Sequence, residues 1–227
     1  MAVTARTASE LEEVVGAIKA KGGQASAIVA DLSERSGCKK AIQATTEAFG
    51  PIEILVNNAG IGSSSDPKPV LDFDDDFWDL TLMLNLTAPY LLSKAVLRPM
   101  LTKGWGRIIN IASINSKVPS VHGAAYCASK HGLVGFTKTL ALEVAKEGIT
   151  VNAICPGPVH TLMSDRRVEY DAKRRGVSYD EHEASLTPAG RRLEPEEVSP
   201  LAVYLASNDA AMVTGQAWNV CGGVCFA

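Results

Sequence analysis

A phenol and an ammonium one helical turn apart, Tyr126 and Lys130, are the side chains of this chain best spaced for chemistry. They belong to Tyr126-Cys127-Ala128-Ser129-Lys130, inside a run from Gly123 to Val144 that reads as one long helix. Residues four apart on a helix share a face, so the two groups are held side by side. A free phenol titrates near pH ~10, poorly matched to a donor that must cycle near neutrality. An adjacent ammonium favours the phenolate, so Lys130 is expected to lower the Tyr126 pKa, by ~3 units or ~4 kcal/mol in a partly dry site. An isolated Tyr-x-x-x-Lys is commonly only a surface pair, and this one gains meaning from what else the chain holds. Ser113 lies 13 residues upstream of Tyr126, just after the apolar run Arg107 to Ala112. Asn57-Asn58-Ala59-Gly60 follows the apolar run Ile52 to Val56, Asn85 sits in Leu84-Asn85-Leu86-Thr87, and Pro156-Gly157 ends a third such run.

These residues need a scaffold, and the periodicity supplies one. Met1 to Ala5 is strand-like, and Leu11, Val14, Val15 and Ile18 mark a helix over Ala8 to Lys21, stopped by Gly22-Gly23. Ala25 to Ala30 is a short strand ending at Asp31, after which Ser33 can cap a helix to Phe49. Ile52 to Val56 is a buried strand by its nearly continuous apolar character. A helical stretch runs from Asp74 to about Leu101, with Pro89 as its expected irregularity. A strand before Ser113, the Tyr126 helix and a strand over Ile149 to Cys155 follow. Residues 158 to 192 are polar and rich in both charges, which suggests short helices standing off the sheet as a lid. A last helix starts at Glu194, and Ala217 to Cys221 is the final strand.

Strands alternating with helices imply a single α/β domain with a doubly wound parallel sheet. In such sheets ligands bind beyond the carboxyl ends of the strands. Asp31, Asn57, Ser113 and Pro156 all follow strand ends.

Composition excludes several other classes. A chain of 227 residues with 46% hydrophobic and 21% charged residues fits one globular domain with a sizeable core. A net charge of −3 offers no broad basic field for nucleic acid. No uninterrupted apolar run approaches the ~20 residues that span a bilayer, and the N-terminus has no secretory pattern; a cytoplasmic location is expected. The five cysteines lack metal-ligand spacing and are expected to be free thiols, with no metal site.

The set Asn57-Asn58-Ala59-Gly60, Asn85, Ser113, Tyr126, Lys130 and Pro156-Gly157 resembles the short-chain dehydrogenase/reductase family, over Ala2 to about Gly223. The resemblance implies a Rossmann-type fold and hydride transfer between a nicotinamide cofactor and a ketone or secondary alcohol. It implies Tyr126 as general acid/base, Lys130 as its partner and a ribose ligand, Ser113 on the substrate carbonyl, and Asn85 in a proton relay. It further assigns Asp31 and Leu32 to the adenine side, Asn58, Ala59 and Gly60 to the cofactor wall, and Pro156, Gly157, Val159 and Thr161 to the carboxamide side. Where many members carry an acidic residue for the adenosine ribose, this chain has Ala5-Arg6-Thr7. Arg6 offers a guanidinium fork for a 2′-phosphate, so NADP(H) is expected over NAD(H).

The family begins with one further strand, a turn of the form TGxxxGxG and the first half of a helix, and none of these precedes Ala2. Gly60-Ile61-Gly62 is too short to replace that turn. The absent strand is central in the family's sheet, between the strands that start here at Ala2 and Ile52. An interrupted sheet is therefore expected, and with it a truncated chain, from a misplaced start or a partial sequence, with a genuinely shortened form as the alternative. The Trp218-Asn219-Val220-Cys221-Gly222-Gly223 end and Lys130 to Lys138 look closest to 3-oxoacyl-carrier-protein reductases and polyketide ketoreductases. Implied partners are a small carbonyl or alcohol substrate, free or carrier-bound, and further copies of the chain in a homotetramer or homodimer. The alternative from another class is a non-catalytic, shortened relative that binds partners or joins hetero-oligomers. His122 and His160 are expected near the site's rim and His131 away from it. The basic residues at 166–175 and Arg191-Arg192 read chiefly as a solvated, charge-balanced face, with attraction of an acidic carrier or a CoA phosphate as the other reading.

Overall fold

The computed structural model describes residues 1–227; strands alternate with helices as far as Pro156, and three helices then precede the last strand. β1 (Ala2–Ala5), α1 (Ala8–Ala20) and β2 (Ser26–Val29) form the first unit, with Leu11 and Val15 on the buried side of α1. α2 (Arg35–Phe49) follows. Ser33 does not cap it: Glu34 holds the N-cap position without a side-chain bond. The amide and hydroxyl of Ser33 both donate to Asp31 Oδ1, at 2.9 and 2.6 Å. A local turn around the aspartate has outcompeted the cap.

β3 (Ile54–Asn57), β4 (Gly106–Ile111), β5 (Ile149–Pro156) and β6 (Ala217–Val220) make one parallel sheet in that order. Ile108, Ile109, Val151, Ala153 and Ile154 are fully buried, as strands covered on both faces require. The registers Asn57↔Asn110, Ile111↔Ile154 and Pro156↔Val220 bring the carboxyl ends of the four strands to one edge.

β1 and β2 pair only with each other, from Ala2↔Ser26 to Ala5↔Val29, as a separate two-stranded parallel sheet. The doubly wound architecture is thus present but interrupted, with one edge of β1 and one edge of β3 unpaired. Val29, Ile54 and Val56 are each more than 40% exposed, which parallel strands covered on both faces would not leave.

α3 (Asp75–Leu82), a π-helical turn at Met83–Thr87 and α4 (Ala88–Lys103) form one continuous helical run. The irregularity is the π-helical turn itself, which ends two residues before Pro89, a residue that cannot donate within a continuous helix. By length and composition this run, Asp75–Lys103, could cross a membrane, contrary to the sequence expectation. Polar and charged residues spread along it, Asp79, Asn85, Lys94 and Arg98 among them, leave no uninterrupted apolar run of that length. Its Ala88 and Leu92 pack with Cys38 and Ala41 of α2, and its Val96 and Met100 with Ile108 and Val151.

α5 (Ala124–Val144) buries Leu133, Leu140, Ala141 and Val144. α6 (Leu162–Arg175) and α7 (Tyr179–Ala184) are the short helices of the charged segment expected as a lid, and α8 (Pro195–Ala206) packs Leu205 onto Ile109 and Ile154. All five cysteines are free thiols.

Candidate active site

The site forms where β3, β4 and β5 end. Asn85 projects from the π-helical turn and is 1% exposed. Such a turn adds one residue to the helical period and re-aims the side chain it carries. Asn85 Oδ1 accepts from the Ile61 amide, and its Nδ2 donates to the Ile61 carbonyl, both at 2.9 Å. The same Nδ2 reaches Ser129 Oγ at 3.1 Å, which links the segment after β3 to α5. Gly60 lies against this junction: a Cβ there would stand 3.0 Å from Asn85 Oδ1 and 3.7 Å from Lys130 Nζ. A glycine keeps that space open.

Lys130 is buried and donates to the Ile111 carbonyl at the end of β4, at 2.7 Å. Its Nζ stands 5.7 Å from the centre of the Tyr126 ring. Ser113, two residues beyond β4, is buried; its hydroxyl accepts from the Asn115 amide at 3.1 Å. Behind it, Ser116 Oγ donates to the Ser113 carbonyl at 2.5 Å and contacts Cys155 Sγ at 3.4 Å. The serine is therefore held from two sides.

The electrostatics differ from the expectation that Lys130 lowers the Tyr126 pKa. Burial pushes the Tyr126 phenol up, and the nearby Ser113 hydroxyl only partly opposes this. Burial also lowers Lys130, to about 8. The ammonium is committed to a backbone carbonyl, and desolvation is the largest influence on the phenol. The site thus holds a protonated phenol beside a lysine lowered to about 8.

Of the expected cofactor residues, Arg6 and Asp31 come together. A cavity of about 450 Å³ lies between Arg6, Asp31, Glu34, Ser36 and Lys40. Asp31 is held below its ordinary value by its two Ser33 hydrogen bonds, with Arg6 contributing in the same direction. Two cations and a hydroxyl suit a phosphate there, with the Glu34 carboxylate opposing it. The Leu32 side chain is not part of this site, since it is buried with Ala30, Cys38, Ala41, Ala88 and Leu92. Only its backbone could meet a ligand. Asn58 and Ala59 are exposed beyond β3.

Pro156, Gly157 and Val159 line the far side of the carboxyl edge. The Gly157 amide donates to Val220, and a Cβ on Gly157 would lie 2.8 Å from Cys221 Cα. Thr161 is exposed and caps α6, its Oγ1 accepting from the Ser164 amide at 3.2 Å. The residues that could bind a dinucleotide therefore flank the Asn85–Lys130 junction on both sides.

His131 faces away from the site and contacts the Cys127 carbonyl. His122 has a φ of 57°, a left-handed conformation unusual for a residue with a side chain, and its Nδ1 meets Tyr170 OH at 2.7 Å. The basic residues of the lid are not all solvated. Arg167 reaches Ser63 Oγ and the Val121 carbonyl, and Arg192 is buried among four partners. The sequence carried no signal for these contacts, which join residues up to 104 positions apart.

A parallel α/β scaffold with serine, tyrosine, lysine and asparagine gathered at its carboxyl edge defines a nicotinamide-dependent oxidoreductase that acts on CH–OH groups. A family model described as "Enoyl-(Acyl carrier protein) reductase" matches residues 1–225. The chain is 40% identical to the D-beta-hydroxybutyrate dehydrogenase of Cupriavidus necator, over 86% of this chain and 76% of that one. It is 37% identical to the 3-oxoacyl-(acyl-carrier-protein) reductase of Haemophilus influenzae, over 89% of this chain and 79% of the relative. Among solved structures, actinorhodin polyketide ketoreductase with NADPH superposes with a TM-score of 0.92 at 39% identity, covering 98% of this chain and 86% of the other. The chain belongs to the short-chain dehydrogenase/reductase family.

Proposed function

We propose that the protein is an NADP(H)-dependent ketoreductase acting on a 3-oxoacyl or polyketide-type carbonyl. The observation that carries this reading is the junction of Asn85, Lys130 and Gly60, with Ser113 beside the Tyr126 phenol. A bound nicotinamide supplies the hydride. Reduction leaves negative charge on the carbonyl oxygen, and the Tyr126 hydroxyl, kept protonated by burial, gives it a proton. Ser113 Oγ donates a hydrogen bond to the same oxygen as charge develops. Lys130 holds the nicotinamide ribose and, through Asn85, borders the route by which Tyr126 regains its proton. Arg6 and Lys40 support the choice of NADP(H), and the NADPH complex of the actinorhodin enzyme agrees with it. Asp31 borders the adenine side, and Val159 and Thr161 the carboxamide side.

The substrate is a small carbonyl, free or carrier-bound. A homotetramer or homodimer through α4, α5 and β6 is supported by apolar surface on those elements: Tyr90, Leu142 and Trp218 are all exposed, Leu142 at 82%. Five free thiols support a reducing, cytoplasmic setting.

The test is a titration of NADPH into the purified 227-residue chain, followed by nicotinamide fluorescence, beside a circular dichroism melt. Saturable binding, a cooperative melt and reduction of ethyl acetoacetate are expected. Tyr126→Phe should bind NADPH as the wild type does and lose at least ~10³-fold in kcat. A cooperative melt with no binding would reject the reading and favour a non-catalytic subunit, for which the interrupted sheet is the supporting observation.

A further inference from the structure

Arg192 takes no part in the chemistry above, yet its side chain is only 5% exposed. Its Nε donates to Glu183 Oε1 at 2.5 Å and its Nη2 to Tyr179 OH at 2.8 Å. Its Nη1 donates to Asp165 Oδ1 at 2.7 Å and Ser164 Oγ at 3.2 Å. Ser164 and Asp165 stand in the first turn of α6, while Tyr179 and Glu183 stand on α7. One guanidinium therefore grips both lid helices. Only a planar, multi-donor cation can satisfy four acceptors spread around it in this way.

The backbone that carries Arg192 is fixed to the segment running past the site. Leu193 pairs with Val159, its amide donating to Pro158 and its carbonyl accepting from His160, at 2.9 and 2.8 Å. His160 extends the same junction, with Nδ1 at 2.6 Å from Glu194 and Nε2 at 3.2 Å from Glu183. At its other side α6 is joined by Arg167 to Ser63 and Val121, the latter in the loop between Ser113 and Tyr126. Movement at Arg192 would thus reach the roof of the site.

We propose that Arg192 is a positioning residue for the substrate: it clasps α6 and α7 to the Pro156–Thr161 segment and so holds the lid over Ser113 and Tyr126. The clasp rests on the ketoreductase reading for its effect on turnover, but its structural effect can be measured without turnover.

The test compares amide hydrogen exchange of the full chain in the wild type, Arg192→Met, Arg192→Lys, Asp165→Asn and the control Lys103→Met, whose lysine pairs with Glu53 on the surface and touches neither lid helix. Arg192→Met should speed exchange across residues 162–184 by on the order of 10-fold or more, with β4 and β5 unchanged. Arg192→Lys should fall between it and the wild type, Asp165→Asn should give a smaller effect in the same region, and Lys103→Met should match the wild type across residues 162–184. With NADPH and ethyl acetoacetate, Arg192→Met should raise KM by ~10-fold while kcat changes less, a split that general unfolding does not produce. Unchanged exchange at 162–184, or equal loss of protection in β4 and β5, would overturn the clasp. Absence of turnover in the wild type would refute the ketoreductase reading alone, because the exchange comparison still decides the clasp. Should Arg192→Met fail to fold, Arg192→Lys and Asp165→Asn carry the same comparison.

Discussion

Lys130 shows how a residue chosen for its charge can end in a place that disfavours that charge. Its ordinary value of 10.5 is lowered to about 8 by burial. The folded protein therefore releases this proton before the unfolded chain does. Below about pH 8 both states hold the proton, and the cost of burying the ammonium is fully present. Between about pH 8 and 10.5 the unfolded chain binds more protons, so stability rises with pH, by about 3 kcal/mol over the whole window at 1.36 kcal/mol per pH unit. Tyr126 acts in the opposite sense, because its folded value is raised; stability is lost through it above about pH 10. Burial also raises the Cys38, Cys127 and Cys155 thiols above their ordinary value of 9.0, and stability is lost through them as pH rises past about 9. The melting temperature of the wild type should accordingly climb relative to that of Lys130→Met between about pH 7.5 and 9.5, the variant's own curve falling toward the upper end through the thiols. Parallel curves for the two proteins would show that Lys130 is not desolvated. The same group sets an expectation for catalysis: ketone reduction should decline above about pH 8 as Lys130 loses its charge and its hold on the ribose, visible in kcat/KM against pH.

At the scale of elements, one backbone contact places α2 beside the adenosine side of the site. A Cβ on Gly37 would stand 1.8 Å from the Asp31 carbonyl oxygen and 2.6 Å from its carbon, both backbone atoms that cannot swing aside. Gly37→Ala should therefore push α2 off the end of β2, at a cost of ~1–3 kcal/mol in urea unfolding. It should also weaken NADPH binding, because Ser36 and Lys40 ride on that helix opposite Arg6. An alanine accommodated without loss of stability would mean that the helix start is freer than its packing indicates. Much of this scale was legible in the sequence: apolar runs marked β3, β4 and β5, and helical spacing marked α1 and α5, each within a few residues. Three features were not. The π-helical turn at Met83–Thr87 has no composition of its own, since it differs from the flanking helix only in which carbonyl each amide meets. Ser33 offered a standard cap, but the nearer carboxylate of Asp31 took its hydroxyl. Arg192 read as a surface charge, because Asp165, Tyr179 and Glu183 converge on it only once two helices have folded over. That Asn85, Ser113, Tyr126 and Lys130 would lie near the strand ends was legible from the motifs, while the directions of their pKa shifts were not: burial is a property of the fold, and no spacing along the chain encodes it.

The whole molecule divides into parts of unequal firmness. β4 and β5 lie inside a four-stranded sheet with helices on both faces, and their central residues are fully buried. β1 and β2 form a two-stranded sheet that shares no hydrogen bond with the larger one, and two strands alone are marginal in water. The small sheet is joined to the rest mainly through α2, whose Cys38 and Ala41 pack with Ala88 and Leu92 of α4. Amides of Val3 to Ala5 and Ala27 to Val29 should consequently exchange at least ~10²-fold faster than those of Ile108 to Asn110 and Val151 to Ile154. The division runs through the candidate site: Arg6 and Asp31 end the loosely held strands, whereas Lys130 is tied to the end of β4. A dinucleotide that touches both must fix one part against the other, and a ligand that binds only the closed arrangement stabilises it by mass action. Saturating NADPH should therefore slow exchange in β1 and β2 strongly and in β4 and β5 little. Equal slowing in all four strands would mean that the molecule opens as a single unit, and the small sheet would then be as firmly held as the large one.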